Sequence, residues 1–205
     1  MQVWLLWNRS RSAFGGKFVF EIFARMLYTK WIERLQRPNF HTFVAIAYPE
    51  GTADEEQTVD RGDIVGTATL IGPIPKNEYM FTGFDELKVG NDGEESKWHC
   101  TALYCSPDTR GKGLGRLLVN ARIEFAKIES TTKRVRVRVL VHPHNSKKTL
   151  EPLKARGFEH VGKCCAIEAI PASGDIMLLP ADGGVSNPDV FHDPHVFVME
   201  LEITK

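Results

Sequence analysis

One stretch constrains the fold of this 205-residue chain more than any other. Trp98–Cys105 (WHCTALYC) is an apolar, β-prone run stopped by Ser106-Pro107, and a turn containing Gly111, Gly113 and Gly115 leads out of it. Beyond the turn, Leu114, Leu117, Leu118, Ala121, Phe125 and Ile128 recur at three- and four-residue spacings, which predicts an amphipathic helix over Leu114–Glu129. A strand that feeds a helix in this way belongs to an α/β fold. The same turn exposes successive backbone N–H groups at a helix N-terminus, where an anion is stabilised. Glycine lets a phosphate approach where a Cβ would collide, and Lys112 and Arg116 add positive charge nearby. The alternative is a tight strand–helix turn with no ligand.

Two nucleotide motifs are excluded by spacing. A Walker A loop needs four residues between its first glycine and Gly-Lys-Ser/Thr, and that spacing is missing. A dinucleotide fingerprint needs G-x-G-x-x-G, whereas these glycines fall as G-x-G-x-G.

The rest of the chain reads as further strands and helices. A helix is expected over Phe18–Gln36, with Arg34 and Arg37 at its C-terminal end and Pro38 stopping it. Strands are expected at Phe43–Ala47, Ile64–Ile71, Val135–Val141, Phe158–Glu168 and Val196–Ile203, with a short helix over Ser146–Arg156 capped by Gly157. Glu50–Asp63 reads as a loop and Lys76–Lys97 as a long connection. Pro171–Pro194 reads as an irregular insertion holding a short strand at Ile176–Leu179. In Val135–Val141 (VRVRVLV) the valines share one face, and Arg136 and Arg138 share the other, under a polar element or toward solvent. The expected architecture is one domain over 1–205: a mixed α/β sheet, with parallel neighbours where a helix joins two strands and hairpins where strands are adjacent. Its core lies at about 43–203, behind an N-terminal helical segment at 1–38.

Composition narrows the function classes. Twenty-six basic residues balance 26 acidic ones, which argues against nucleic acid as a partner. No apolar run approaches the roughly 18 residues of a membrane span, so no membrane partner is expected. Cys100, Cys105, Cys164 and Cys165 lack CxxC spacing and read as reduced thiols. The first acid is Glu21, so the basic, serine-containing start could mimic a mitochondrial presequence; the cytoplasm is the expected location.

Arg110, Gly113 and Gly115 form Arg-x-x-Gly-x-Gly after a strand, and VRVRVLV, Asn145 and Gly157-Phe158 follow downstream. This combination resembles the Gcn5-related N-acetyltransferase (GNAT) superfamily, over about Phe43–Ile203 and most strongly over Trp98–Gly162. The resemblance implies an α/β fold with a mixed, mostly antiparallel central sheet holding one parallel splayed pair, flanked by helices, and acetyl-CoA as cosubstrate. It places the CoA pyrophosphate on the backbone of Arg110, Gly111, Lys112, Gly113, Leu114 and Gly115, with Arg116 adjacent. It assigns the pantetheine arm to strand-like pairing with Leu103, Tyr104 and Cys105, and a further cofactor contact to Asn145.

The implied reaction is direct attack of an amine on the acetyl thioester in a ternary complex. An alkylammonium must first lose a proton, and the resemblance points to His99 as the base, with His142 and His144 as rivals. The slot two residues after His99, where the arylalkylamine-type members carry a second histidine, holds Thr101. Backbone N–H groups around Cys105 are placed to stabilise the oxyanion. The tyrosine acid usual four residues before Gly-Phe is replaced by Leu153, which leaves Tyr104, water or a departing thiolate as the alternatives. His142, His144, His192 and His195 have spacings that could ligate a transition metal if the insertion folds over the strand end, and no metal is expected. The expected acceptor is a small primary amine, with the protein a monomer or homodimer. A protein N-terminus or lysine is one alternative, and a non-catalytic acyl-CoA-binding module is the other. Acidic residues of the long connection (Asp85, Glu86, Asp92, Glu94, Glu95) could attract a cationic amine or form a solvated face.

Overall fold

A computed structural model describes residues 3–5, 35–49, 51–57, 61–82 and 88–205. The helix expected over Phe18–Gln36 and the acids Asp85 and Glu86 lie outside the described residues, apart from the last two helix positions. Among the described residues the strands are β1 (Val3–Leu5), β2 (Phe40–Ala47), β3 (Asp63–Ile71), β4 (Glu95–Cys105), β5 (Arg134–Val141), β6 (Glu159–Cys165) and β7 (Pro194–Thr204). The helices are α1 (Lys76–Tyr79), α2 (Leu114–Glu129), α3 (Ser146–Lys154), α4 (Ala166–Ala172) and α5 (Pro188–Phe191). Hydrogen-bonded neighbours run β1-β2-β3-β4-β5-β7-β6, with β4 and β5 parallel. This is the mixed sheet with one parallel pair that the resemblance implies. No helix among the described residues is long and apolar enough to cross a membrane.

The chain divides into two compact units, Met1–Leu70 with Ala102–Phe125, and Ile71–Thr101 with Ala126–Lys205. In the first, β1 pairs antiparallel with β2, Val3 opposite Ala45. Phe43, Val44, Ala45 and Ile46 of β2, Ala68 and Leu70 of β3, and Leu114 and Leu118 of α2 are buried. Gly66 lets α2 sit close on β3: a Cβ there would lie 3.0 Å from Leu114 Cδ2 and 3.1 Å from Leu118 Cδ1. Phe125 meets Phe43 edge-on, with ring centroids 5.6 Å apart.

The second unit is built on two unlike sheet faces. Register sets Lys97 opposite Arg136 and His99 opposite Arg138 across β4 and β5. Across β5 and β7 it sets Arg136 opposite Glu202 and Arg138 opposite Glu200. Because strand residues alternate, Trp98, Cys100, Val135, Val137 and Met199 form a buried apolar face. Glu95, Lys97, His99, Arg136, Arg138 and Glu200 share the other face, and all six are buried. Farther along, that second face turns apolar, where Val196 and Val198 pack with Cys164, Phe81 and Ala169 of α4.

Three expectations need correction. β4 begins at Glu95, three residues inside the supposed connection, because Glu95, Ser96 and Lys97 are paired and buried rather than solvated. The strand expected to Glu168 stops at Cys165, where a capping box starts α4: the Cys165 side chain accepts from the backbone of Glu168, whose carboxylate takes the Cys165 N–H at 3.2 Å. The segment Ile176–Leu178 is a 3₁₀ turn rather than a strand.

Candidate active site

The end of β4 and the glycine turn lie in the first unit. β4 pairs with β5 only over Glu95–Cys100, and Ala102 then takes a left-handed conformation, φ +50°. It is the one non-glycine residue with positive φ among those described. That conformation is costly for an L-residue with a Cβ and marks a local distortion of the strand. After it, Leu103 is exposed while Tyr104 and Cys105 are half-buried.

Several contacts fix the turn that follows. Ser106 N–H donates to Val65 O at 2.8 Å, the Thr109 hydroxyl donates to Ser106 O at 2.9 Å, and Arg110 Nε donates to Cys105 O at 3.3 Å. Gly111 and Gly113 have φ of +78° and +83°, the left-handed region that glycine tolerates. A Cβ on Gly111 would meet nothing within 4 Å, and one on Gly113 only Arg116 Nη2 at 3.9 Å. Leu117 N–H donates to Gly113 O at 3.1 Å, closing the first turn of α2. The N–H groups of Gly113, Leu114, Gly115 and Arg116 donate to no backbone acceptor among the described residues, as the first turn of a helix requires. Four donors, open space above two glycines and the cations Lys112 and Arg116 fit a phosphate group. Burial raises the Cys105 thiol, with Arg110 and Arg122 opposing, so it is protonated at neutral pH and poorly suited to act as a nucleophile.

Other expected site residues lie in the second unit. Asn145 sits at the N-cap of α3, exposed, and its side chain makes no capping bond. Leu153, at the position of the usual tyrosine acid, is buried in the core. His142 stacks on His144 with centroids 4.9 Å apart and meets His195 edge-on at 5.5 Å. Burial and then the two neighbouring imidazoles push its pKa below the ordinary value. His192 lies instead against loop backbone, its Nε2 3.0 Å from Gly183 O. No group of three or more potential ligands among the described residues could hold a metal ion.

His99 is 0% exposed. Its Nε2 lies 3.2 Å from Ser173 Oγ, and its Nδ1 accepts from Arg138 Nε at 3.5 Å. A base needs a lone pair turned toward the acceptor, and both ring nitrogens of His99 already have protein partners. Two acids of the connection, Glu95 and Asp92, are likewise engaged. Glu95 takes Arg136 Nε at 3.2 Å and the Gly90 N–H at 2.7 Å, while Asp92 takes Lys97 Nζ at 2.7 Å. Sequence reasoning missed Ala102, for which alanine gives no signal. It also missed Ser173 and Tyr79, which reach the polar face from distant segments.

A profile of the acetyltransferase (GNAT) family matches residues 7–158. No curated protein sequence matches the chain. Arabidopsis thaliana NAA60 in complex with a bisubstrate analogue superposes with TM-score 0.57 at 14% identity, covering 90% of this chain and 88% of that one. The same plant protein with acetyl-CoA gives TM-score 0.54 at 14% identity, covering 89% and 88%. An IAA acetyltransferase from Bacillus cereus gives 0.48 at 13%, covering 86% and 85%. The sheet with one parallel pair, the glycine turn and a profile match over most of the chain lead to one conclusion: the chain belongs to the GNAT acetyltransferase family.

Proposed function

We propose that this protein is an acetyl-CoA-dependent N-acetyltransferase that acts on a small primary amine by direct attack in a ternary complex. The observation that carries the reading is the glycine turn, where four N–H groups at the start of α2 donate to no backbone acceptor among the described residues and a Cβ on Gly111 would meet nothing within 4 Å. Acetyl-CoA would supply the activated acetyl group. Gly111, Gly113, Leu114, Gly115 and the backbone of Arg110 and Lys112 would hold its pyrophosphate, with Arg116 adding a charge-assisted donor. Leu103, Tyr104 and Cys105 would offer backbone groups to the pantetheine amides, past the distortion at Ala102. Asn145, whose side chain makes no capping bond, would make the further cofactor contact that the resemblance gives it.

One observation favours a second reading. Leu153 in the core replaces the usual acid, as suits an acyl-CoA-binding module without turnover. The test is release of free CoA thiol from acetyl-CoA, followed with small primary amines, lysine peptides and peptides with free N-termini. The reading predicts turnover with a small amine. Turnover confined to peptides would replace the acceptor class, and binding with no turnover on any acceptor would establish the non-catalytic module.

A further inference from the structure

The cations on the buried polar face of the second unit have unequal partners. Lys97 meets Asp92 at 2.7 Å, and Arg136 meets Glu95 at 3.2 Å and Glu200 at 2.6 Å. Arg138, 1% exposed, contacts no carboxylate among the described residues within ion-pair distance. Its guanidinium lies between the rings of Tyr79 and Phe81, 4.1 and 4.2 Å from their centroids. Nη1 donates to Tyr79 O, Nε donates to His99 Nδ1, and Nη2 is buried with no hydrogen-bond partner among the described residues.

A guanidinium has donors only and does not lose its proton in proteins. The nitrogen that faces it must therefore be the acceptor. A neutral imidazole with Nδ1 accepting carries its hydrogen on Nε2, and that hydrogen is directed at Ser173 Oγ, 3.2 Å away. A second proton on Nδ1 would set N–H against N–H and one cation against another in a buried site. The arrangement is the electrical inverse of a triad, where a carboxylate on Nδ1 stabilises the imidazolium.

Among the described residues, the neighbouring titratable groups do not reverse this. Lys97, on the same strand face, is a further cation. From α1, the Tyr79 phenol is held well above its ordinary value by burial and by Glu200, so it stays neutral. From β6, burial foremost pushes the Cys164 thiol up to about 12, so it is neutral as well. From β7, the Glu200 carboxylate is already bonded by Arg136 Nη1 at 2.6 Å and Tyr79 Oη at 2.9 Å.

We infer that Arg138 locks His99 as the neutral Nε2–H tautomer, so that His99 serves acetyl transfer as a positioning residue that holds Ser173 and takes no proton from the amine. The clause about transfer rests on the function proposed above; the tautomer does not.

The test is histidine-selective ¹⁵N NMR of the full chain, with His99 assigned through His99→Gln. The inference predicts that His99 stays neutral with its hydrogen on Nε2 from about pH 5 to about pH 9. In Arg138→Gln, whose amide can turn to accept from Nδ1–H, His99 should take up a proton within that range. Titration of His99 in the unaltered protein, or a hydrogen on Nδ1, would overturn the lock; so would an Arg138→Gln protein in which His99 stays unchanged. If Arg138→Gln does not fold, the unaltered protein still decides the tautomer. The kinetic arm separates positioning from base catalysis. His99→Gln should lower kcat/KM less than about tenfold and keep the acidic limb of the pH–rate profile. Loss of that limb with a fall of about a hundredfold or more would make His99 the base. The NMR arm needs no turnover, so failure of the acetyltransferase reading stays distinguishable from failure of the lock.

Discussion

The glycine turn and the buried polar face treat their polar groups in opposite ways. At the turn, Gly113, Leu114, Gly115 and Arg116 donate their N–H groups to no backbone acceptor among the described residues, and the left-handed Gly111 and Gly113 leave open the space a Cβ would take. On the polar face, Glu95, Lys97, Arg136 and Glu200 are sealed from solvent and bonded to one another, to Tyr79 and to Asp92. Unsatisfied donors at an accessible helix start can await a ligand at little cost, since water serves them meanwhile. Buried charges cannot wait, because each needs its partner for the fold to persist. The difference separates a candidate ligand site from a structural one more sharply than charge density does, since the polar face is the richer of the two in ionised groups.

The largest expected effect is at the turn. Gly113→Asp puts a Cβ at φ +83° and a carboxylate where an anion is expected. Acetyl-CoA affinity, read by calorimetry, should fall at least about a hundredfold, or about 2.7 kcal/mol, with little change in secondary structure. Glu200→Gln should do the reverse. Losing the carboxylate that holds Arg136 should cost about 3 kcal/mol in urea unfolding, while the remaining folded protein keeps its acetyl-CoA affinity. If Glu200→Gln abolished binding without loss of stability, the division between the two regions would fail.

Smaller effects sharpen the comparison. Removing Lys112 and Arg116 together should weaken acetyl-CoA about tenfold and flatten the salt dependence, since both cations are surface groups acting partly through screened charge. The polar face should appear in the alkaline stability curve. Burial, and then Glu200, hold the Tyr79 phenol well above its ordinary value. Above about pH 10 the unfolded chain releases that proton and the folded one keeps it. Stability is therefore undiminished below that pH and falls as pH rises beyond it, and Tyr79→Phe should flatten the fall. The smallest change is expected for Cys105→Ala. Its thiol is raised by burial and lends only its backbone to the proposed site, so turnover should change by less than about threefold.

What the sequence disclosed follows the same division. The turn was legible because its determinants are local: a proline stop, glycines at alternate positions, and a helical stripe with a period near 3.6 residues. The family resemblance rests on those residues. The polar face was not legible, because its logic is long-range register. Glu95 and Lys97 look like loop residues until Arg136 is set beside them, and Arg138 looks like a surface residue until Tyr79 and Phe81 close over it. His99 could be recognised as a histidine on the right strand. What its two nitrogens face depends on Arg138 and Ser173, 39 and 74 residues away in sequence. Cys165 is not a usual N-cap residue, which hid the start of α4 inside an apparent strand.

The most direct test of the central claim is calorimetric titration of acetyl-CoA into protein stripped of carried-over ligand, with desulfo-CoA and adenosine diphosphate as controls. The account predicts micromolar binding of acetyl-CoA, retained by desulfo-CoA and, more weakly, by the diphosphate alone, since the turn grips the pyrophosphate. Absence of binding at millimolar ligand would make the glycine turn a structural feature and contradict the proposed cofactor site.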